Sequence, residues 1–288
     1  MQKKTYYIKS SKVVEKKKLF LFSDVHFREG FPIKKLAQIL IQAELAEPDY
    51  ICIAGDLIND AKNPGDLNLL SPFLDSLSKI APIVMGFGNH DLLGKEGKQW
   101  IYYLNEDYLG LLLNTPKLHL VDNRGWKDRD IEFTGVTMPY DYYERCHESI
   151  DYTKTYIDTI ASSLLNKQQK ELYQVLFFHS PISMLELASE NKLESLKGTD
   201  LILSGHLHGG LTPPLFEFFL RRRGIVGPPN LANRMIFPNH VRGHVQLKDI
   251  DAVISTGISK LNMPVADIIL PPSVTEIIID KPKILTKK

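Results

Sequence analysis

A chain of 288 residues, 43% hydrophobic and 24% charged, is long enough to bury a large core and has the balance of a soluble globular protein. Its 35 Lys and Arg nearly cancel 34 Asp and Glu, so no global field recruits nucleic acid, and none is expected as a partner. Two cysteines, Cys52 and Cys146, do not make a disulfide framework, and no apolar run follows the basic start to export or anchor the chain; a cytoplasmic location with at most peripheral membrane contact is expected.

In chain order, the Lys-rich opening (Lys3, Lys4, Lys16 to Lys18) reads as a solvated charge run, with Tyr6 and Tyr7 as packing groups. Short apolar runs rich in β-branched or aromatic residues predict strands at 19–23, 50–54, 83–87, 175–178 and 201–204. Helical spacing falls between them at 33–46, 66–80, 97–113, 153–165 and 182–196, an alternation that argues for βαβ units in a layered α/β domain. Further strands at 131–136, 252–255 and 274–279 enlarge this to two packed sheets. Residues 211–243 break the rhythm with Pro213-Pro214, the aromatics Phe216, Phe218 and Phe219, the run Arg221, Arg222 and Arg223, and Pro228-Pro229; this reads as an insertion or lid within one domain spanning 1–288.

What ends each central strand carries the chemistry. The five runs end in Ser23-Asp24-Val25-His26, Gly55-Asp56, Gly88-Asn89-His90-Asp91, His179-Ser180-Pro181 and Gly205-His206-Leu207-His208-Gly209-Gly210. Five of nine histidines thus sit at carboxyl ends of strands, the edge where α/β sheets bind ligands. Asp24 with His26, and His206 with His208, can each aim two donors at one ion. Mixed Asp, Asn and His ligands suit Mn, Fe, Co, Ni or Zn, and the absence of thiols argues against a structural zinc site. Two ions roughly 3.5–4 Å apart, sharing a carboxylate, would clamp a phosphoryl group. Alone, each motif is also an ordinary turn, helix cap or core histidine; their ordered conjunction is the signal.

That order resembles the calcineurin-like metallophosphoesterase superfamily over roughly residues 19–210, and the Gly-His-Leu-His-Gly-Gly ending is most similar to the bacterial branch related to the YkuE and YaeI phosphodiesterases. The resemblance implies a four-layer α-β-β-α sandwich of two mixed β-sheets flanked by helices. It implies two divalent ions, Mn favoured and Fe, Zn, Co or Ni as alternatives. Asp24, His26, Asp56 and His208 would hold one; Asp56, Asn89, His179 and His206 would hold the other. It further implies attack by a metal-bridging hydroxide, with His90 stabilising the developing charge or protonating the leaving group and Asp91 orienting His90.

One departure stands out: Asn59 occupies a position where the family often has Asp, three residues beyond the bridging carboxylate. The expected substrate is a small phosphate ester or a lipid headgroup, a phosphodiester or lipid- or nucleotide-linked pyrophosphate being favoured, with no oligomeric state implied. For Arg221–Arg223 two readings stand side by side, a solvated loop and a cap that grips an anionic headgroup. Other functions in view are a phosphomonoesterase or phosphoprotein phosphatase, and a metal-bearing scaffold or regulatory binding module. A metallo-β-lactamase-type hydrolase is excluded because its His-x-His-x-Asp-His run is absent.

Overall fold

A computed structural model describes residues 1–139, 142–143, 155, 158, 171–189, 193–209, 242–259 and 271–282. Its first sheet has the order β1 (Gln2–Lys9), β14 (Ser273–Asp280), β2 (Lys17–Phe22), β3 (Tyr50–Ala54), β4 (Ile83–Gly86) and β7 (Leu118–Leu120). Strands β2, β3, β4 and β7 are parallel, β14 joins β2 antiparallel, and β1 runs parallel to β14. The second sheet has the order β12 (Gly243–Leu247), β13 (Ile250–Ile254), β11 (Leu201–Ser204), β10 (Tyr173–Phe178), β9 (Ile131–Val136) and β8 (Gly125–Asp128), with four parallel strands inside two antiparallel edges.

Strand alternation explains the layers, because successive side chains leave opposite faces. Leu19 and Leu21 of β2, Cys52 of β3 and Val84 of β4 pack with Phe133, Val175, Phe177, Leu203 and Val253 between the sheets. Their neighbours Phe20, Phe22, Ile51, Ile53 and Met85 face the other way, onto Leu36 and Ile39 of α1 (Ile33–Ala46) and Leu70 and Leu74 of α2 (Leu67–Ile80). On the far face of the second sheet, Leu176, Phe178, Ile202 and Ile254 meet Met184 and Leu187 of α5 (Ile182–Ser189). The result is an α-β-β-α sandwich. The strands are continuous apolar runs because both of their faces are covered.

Several local expectations need correction. Residues 97–104 are not helical: β5 (Leu93–Glu96) and β6 (Gln99–Tyr102) form an antiparallel hairpin, and α4 begins only at Glu106 (Glu106–Asn114). Trp100, Ile101, Tyr103 and Leu104 mimic helical spacing, but Asn105 accepts from the Tyr108 amide at 2.9 Å and caps the helix there. Within the expected 182–196 helix the described residues form α5 and a 3-10 turn, Leu193–Leu196. The basic start is strand β1, not merely a charge run, and Lys17 is 2% exposed, its ammonium 3.0 Å from Glu15 and 3.2 Å from Asp130. Tyr7, expected to pack, is exposed, while Tyr6 lies against the His244 ring. The expected helix at 153–165 falls almost wholly outside the described residues. Among the described residues, no helix is long and apolar enough to cross a membrane.

Candidate metal centre

Parallel strands deliver the predicted donors to one place. Asp24 and His26 follow β2, and Asp56 follows β3. Asn89 and His90 open the short helix α3 (Asn89–Leu92) after β4. His179 follows β10, and His206 and His208 follow β11. The loops interlock through their backbones: Asp24 N donates to Gly55 O at 3.0 Å, His26 N to Asp56 O at 3.1 Å, and Gly205 N to His179 O at 2.9 Å. Asp24, His26, Asp56, His206 and His208 all have left-handed backbones, with φ of 52°, 50°, 55°, 67° and 49°. Side chains rarely adopt this region, and such residues cost on the order of 1–3 kcal/mol each, so the surrounding contacts must hold them there.

Two donor groups result. Asp24, His26 and His208 have ligand atoms within 4.8 Å of one another, as do Asp56, His179 and His206. His26 joins them, its Nε2 4.0 Å from Asp24 Oδ1 and 3.7 Å from Asp56 Oδ2. A third group, His26, Asp56 and His90, has the same compactness. Asn89 belongs to the Asp56 side, its Oδ1 lying 3.0 Å from His206 Nδ1. The space is tight because glycine lines it: a Cβ on Gly88 would stand 2.2 Å from Asp56 Oδ1.

The outward ring nitrogens are already engaged. His179 Nδ1 lies 2.7 Å from Ala54 O, His208 Nδ1 2.9 Å from Ser259 O, and His90 Nδ1 2.6 Å from Asn59 O. Donation of Nδ1–H to a carbonyl leaves Nε2 as the free lone pair, the tautomer a metal-ligating histidine needs. Both ring nitrogens of His26 are buried without a hydrogen-bond partner, and His179 Nε2 is buried 3.1 Å from Asp56 Oδ2. Two fully buried carboxylates, Asp24 and Asp56, face them. Such a constellation is costly by itself, and divalent cations satisfy both the lone pairs and the charge. The donor set therefore fits metal ions.

Electrostatics agrees. Burial pushes the Asp24 and Asp56 carboxyls up, but the facing histidines outweigh it and hold Asp24 below, and Asp56 well below, the usual range. Burial lowers His26 to about 4, and burial with the His179 charge lowers His206 to about 3, so both rings stay neutral and able to ligate. His179 goes the other way: burial would lower it, but the Asp56 carboxylate 3.1 Å away raises it to about 9, so its Nε2 holds a proton that a bound cation would have to displace.

Asp91 departs from its expected task. Its carboxylate accepts from the amides of Asp56 (2.8 Å), Leu57 (3.0 Å), Ile58 (3.3 Å) and Gly88 (2.9 Å), and from the Tyr108 hydroxyl (2.9 Å). It shapes the loop carrying Asp56, while the backbone carbonyl of Asn59 orients His90. Burial and the nearby Asp56 carboxylate raise Asp91 to about 6.

Other contributors carry no obvious motif. Ser259 accepts from His208 through its carbonyl, donates its amide to Asp24 O at 2.9 Å and its hydroxyl to Val25 O at 2.6 Å. Gly257, at φ +74°, is pressed against Asp24, where a Cβ would lie 2.9 Å from Asp24 Cβ. The signal available was a sixth strand end, Ser255-Thr256-Gly257, built of the same small residues as the other five. Trp100 and Tyr143 meet the His90 and His206 rings at centroid distances of 5.0 and 5.5 Å. Arg221, Arg222 and Arg223 lie outside the described residues. The end of their segment is seen: Arg242 donates to Gly209 O at 2.9 Å, and Gly243, assigned above to the insertion, opens β12.

Known proteins of similar sequence are named as metallophosphoesterases. The chain is 24% identical over 211 residues to an uncharacterized metallophosphoesterase of Campylobacter jejuni (73% of this chain, 48% of the relative). It is 25% identical over 248 residues to a Caenorhabditis elegans protein named as a metallophosphoesterase (85% and 45%). It thus spans about half the length of these curated relatives. Similar solved structures include TT1561 of Thermus thermophilus (TM-score 0.46, 14% identity, 84% of this chain and 89% of that one) and a dimetal phosphatase from Danio rerio (0.44, 11%, 83% and 87%). The profile of the family described as calcineurin-like phosphoesterase matches residues 17–210, the stretch that holds every one of these donors, and the chain belongs to that family.

Proposed function

We propose that the protein hydrolyses phosphate esters at a centre of two divalent cations, manganese being the favoured metal. Asp24, His26, Asp56 and His208 would hold one cation and Asp56, Asn89, His179 and His206 the other. The observation that carries the reading is the pair of buried donor groups joined through His26 and Asp56, with both His26 ring nitrogens left without a hydrogen-bond partner between them. Bound cations would supply Lewis acidity and lower the pKa of a water.

The protein's own groups account for the remainder. Left-handed turns fix Asp24 and His26, and His206 and His208, so both members of each pair face inward. Carbonyls of Ala54, Asn59 and Ser259 lock three imidazoles by their Nδ1 atoms, which removes reorganisation at the moment of reaction. His90 is half-exposed at the mouth, with Nε2 as its free atom. As a hydroxide oxygen bonds to phosphorus and the ester P–O bond breaks, His90 in its imidazolium form would give its Nε2 proton to the departing oxygen and be left as the neutral ring whose Nδ1–H faces Asn59 O. A phosphodiester or pyrophosphate is the favoured substrate, with Arg221–Arg223 as a grip on a second anionic group.

Metal analysis of the protein purified with Mn, paired with turnover of bis(p-nitrophenyl) phosphate and p-nitrophenyl phosphate, tests this. About two ions per chain and diester hydrolysis are expected. Two bound ions with no turnover of either ester would favour a metal-bearing scaffold, and no bound metal would defeat the reading.

A further inference from the structure

The β5–β6 hairpin follows α3 directly and has two unlike faces. Pairing sets Lys95 opposite Trp100 and Leu93 opposite Tyr102, so these four side chains leave one side, while Gly94, Ile101, Glu96 and Gln99 leave the other. The second face packs on the loop after Asp56: Glu96 pairs with Lys62 at 3.1 Å, and a Cβ on Gly94 would meet Lys62 Cγ at 2.4 Å. From the first face the Trp100 ring reaches the candidate metal centre, standing at 80° to His90 with centroids 5.0 Å apart. His90 also meets His26, at 4.6 Å and 84°, so Trp100 is one ring removed from the metal donors.

Packing accounts for Leu93, which is buried, but not for the other three residues of this face. Trp100 is only half-buried, Lys95 is exposed, and Tyr102 is 59% exposed. The hairpin is nevertheless held rigidly, by Ala61 N to Leu93 O (3.0 Å), Lys95 N to Asp60 Oδ1 (3.1 Å) and Tyr103 N to Leu92 O (2.8 Å). A fixed, open indole with a cation beside it, at the mouth of a phosphoesterase centre, is a stacking platform for a planar ring attached to an anionic phosphate.

We propose that the face formed by Lys95, Trp100 and Tyr102 binds the organic group of the substrate and that this group is planar and aromatic. The proposal rests on the phosphoesterase reading above for its assay. Thymidine 5′-p-nitrophenyl phosphate and methyl p-nitrophenyl phosphate share one leaving group and differ only in the second ester group. The wild-type protein should prefer the thymidine ester in kcat/KM, and Trp100→Ala should reduce that preference on the order of 10-fold, as loss of one stacked base implies. Trp100→Phe, which keeps a ring, should retain most of it. An unchanged ratio in Trp100→Ala would overturn the subsite and leave Trp100 as a support for His90. A binding readout separates this from failure of the parent reading: 5′-AMP should quench tryptophan fluorescence in wild type but not in Trp100→Phe, whatever the turnover. Equal quenching in both would overturn the proposal even if ester hydrolysis is observed; quenching lost with the indole, in a protein that hydrolyses neither ester, would uphold the subsite while the hydrolytic reading fails.

Discussion

Tyr108→Phe removes a single oxygen, 17 residues beyond Asp91 in sequence. The hydroxyl donates to Asp91 Oδ1 at 2.9 Å; Tyr108 is 1% exposed and Asp91 fully buried, so no water replaces the bond. A hydrogen bond to a charged group contributes roughly 1.5–3 kcal/mol. Because the Leu57 and Ile58 amides still reach the same oxygen, the lower half, about 1.5–2 kcal/mol, is expected. For a protein of this size that lowers Tm by roughly 2–4 °C.

The loss should also depend on pH. Asp91 already sits at about 6, raised by burial and by the Asp56 carboxylate, and losing a donor that favours its ionised form raises it further. A carboxyl raised above its unfolded value of about 3.9 contributes stability below that value and loses it as pH rises through the folded pKa. The Tyr108→Phe deficit is therefore largest above pH 6, where Asp91 is ionised in the parent, and shrinks toward pH 5. Urea unfolding at pH 7.5 and pH 5, with chelator present, measures both. A deficit below about 0.5 kcal/mol, or one of equal size at the two pH values, would refute the pairing of Tyr108 with an ionised Asp91.

Asp56→Ala removes the carboxylate common to both proposed sites and should abolish metal retention and diester turnover together, read by elemental analysis and a chromogenic assay. His90→Ala should keep its metal content and lose on the order of 100-fold in kcat; parallel loss of metal would make His90 a ligand instead. Gly257→Ala forces a side chain onto a backbone at φ +74° and against Asp24 Cβ, so metal titration should show weaker binding in a protein that still folds, with wild-type affinity counting against the contact. Burial pushes the Asp130 carboxyl up, but the Val14 amide and the Lys17 ammonium outweigh it and depress it. Its contribution is present above the unfolded pKa and lost as pH falls through the folded one, so Asp130→Asn should show a shallower acid-unfolding transition than the parent.

The sandwich was largely legible because its strands are buried on both faces. A run such as Tyr50–Ala54 has no polar alternative, and residue types that end it must be there for a turn or a ligand. The donors were legible for the same reason: each lies within a few residues of a strand end, so chain order carries it to the sheet edge whatever else the fold does. Where apolar spacing was ambiguous, local pattern misled. Residues 97–104 satisfy a helix on paper, yet the loop at Asp60 and the end of α3 at Leu92 pin the backbone into a hairpin.

Lys17 and Asp91 show a second limit. A lysine among lysines reads as solvated, and only the arrival of Asp130 from the opposite sheet, beside neighbouring Glu15, makes its burial affordable. Likewise Asp91 beside His90 invites a pairing by adjacency, whereas the short helix between them and the loop turns the carboxylate toward four amides and a distant tyrosine. Residues proposed to hold a metal must suit the chemistry of an ion and so announce themselves by type. Those that hold them in place need only a carbonyl, an amide or a small volume, which almost any residue provides. That is why Asp24 can be read from the sequence while Ser259 and Gly257, which hold it, emerge only when β13 is laid beside β11.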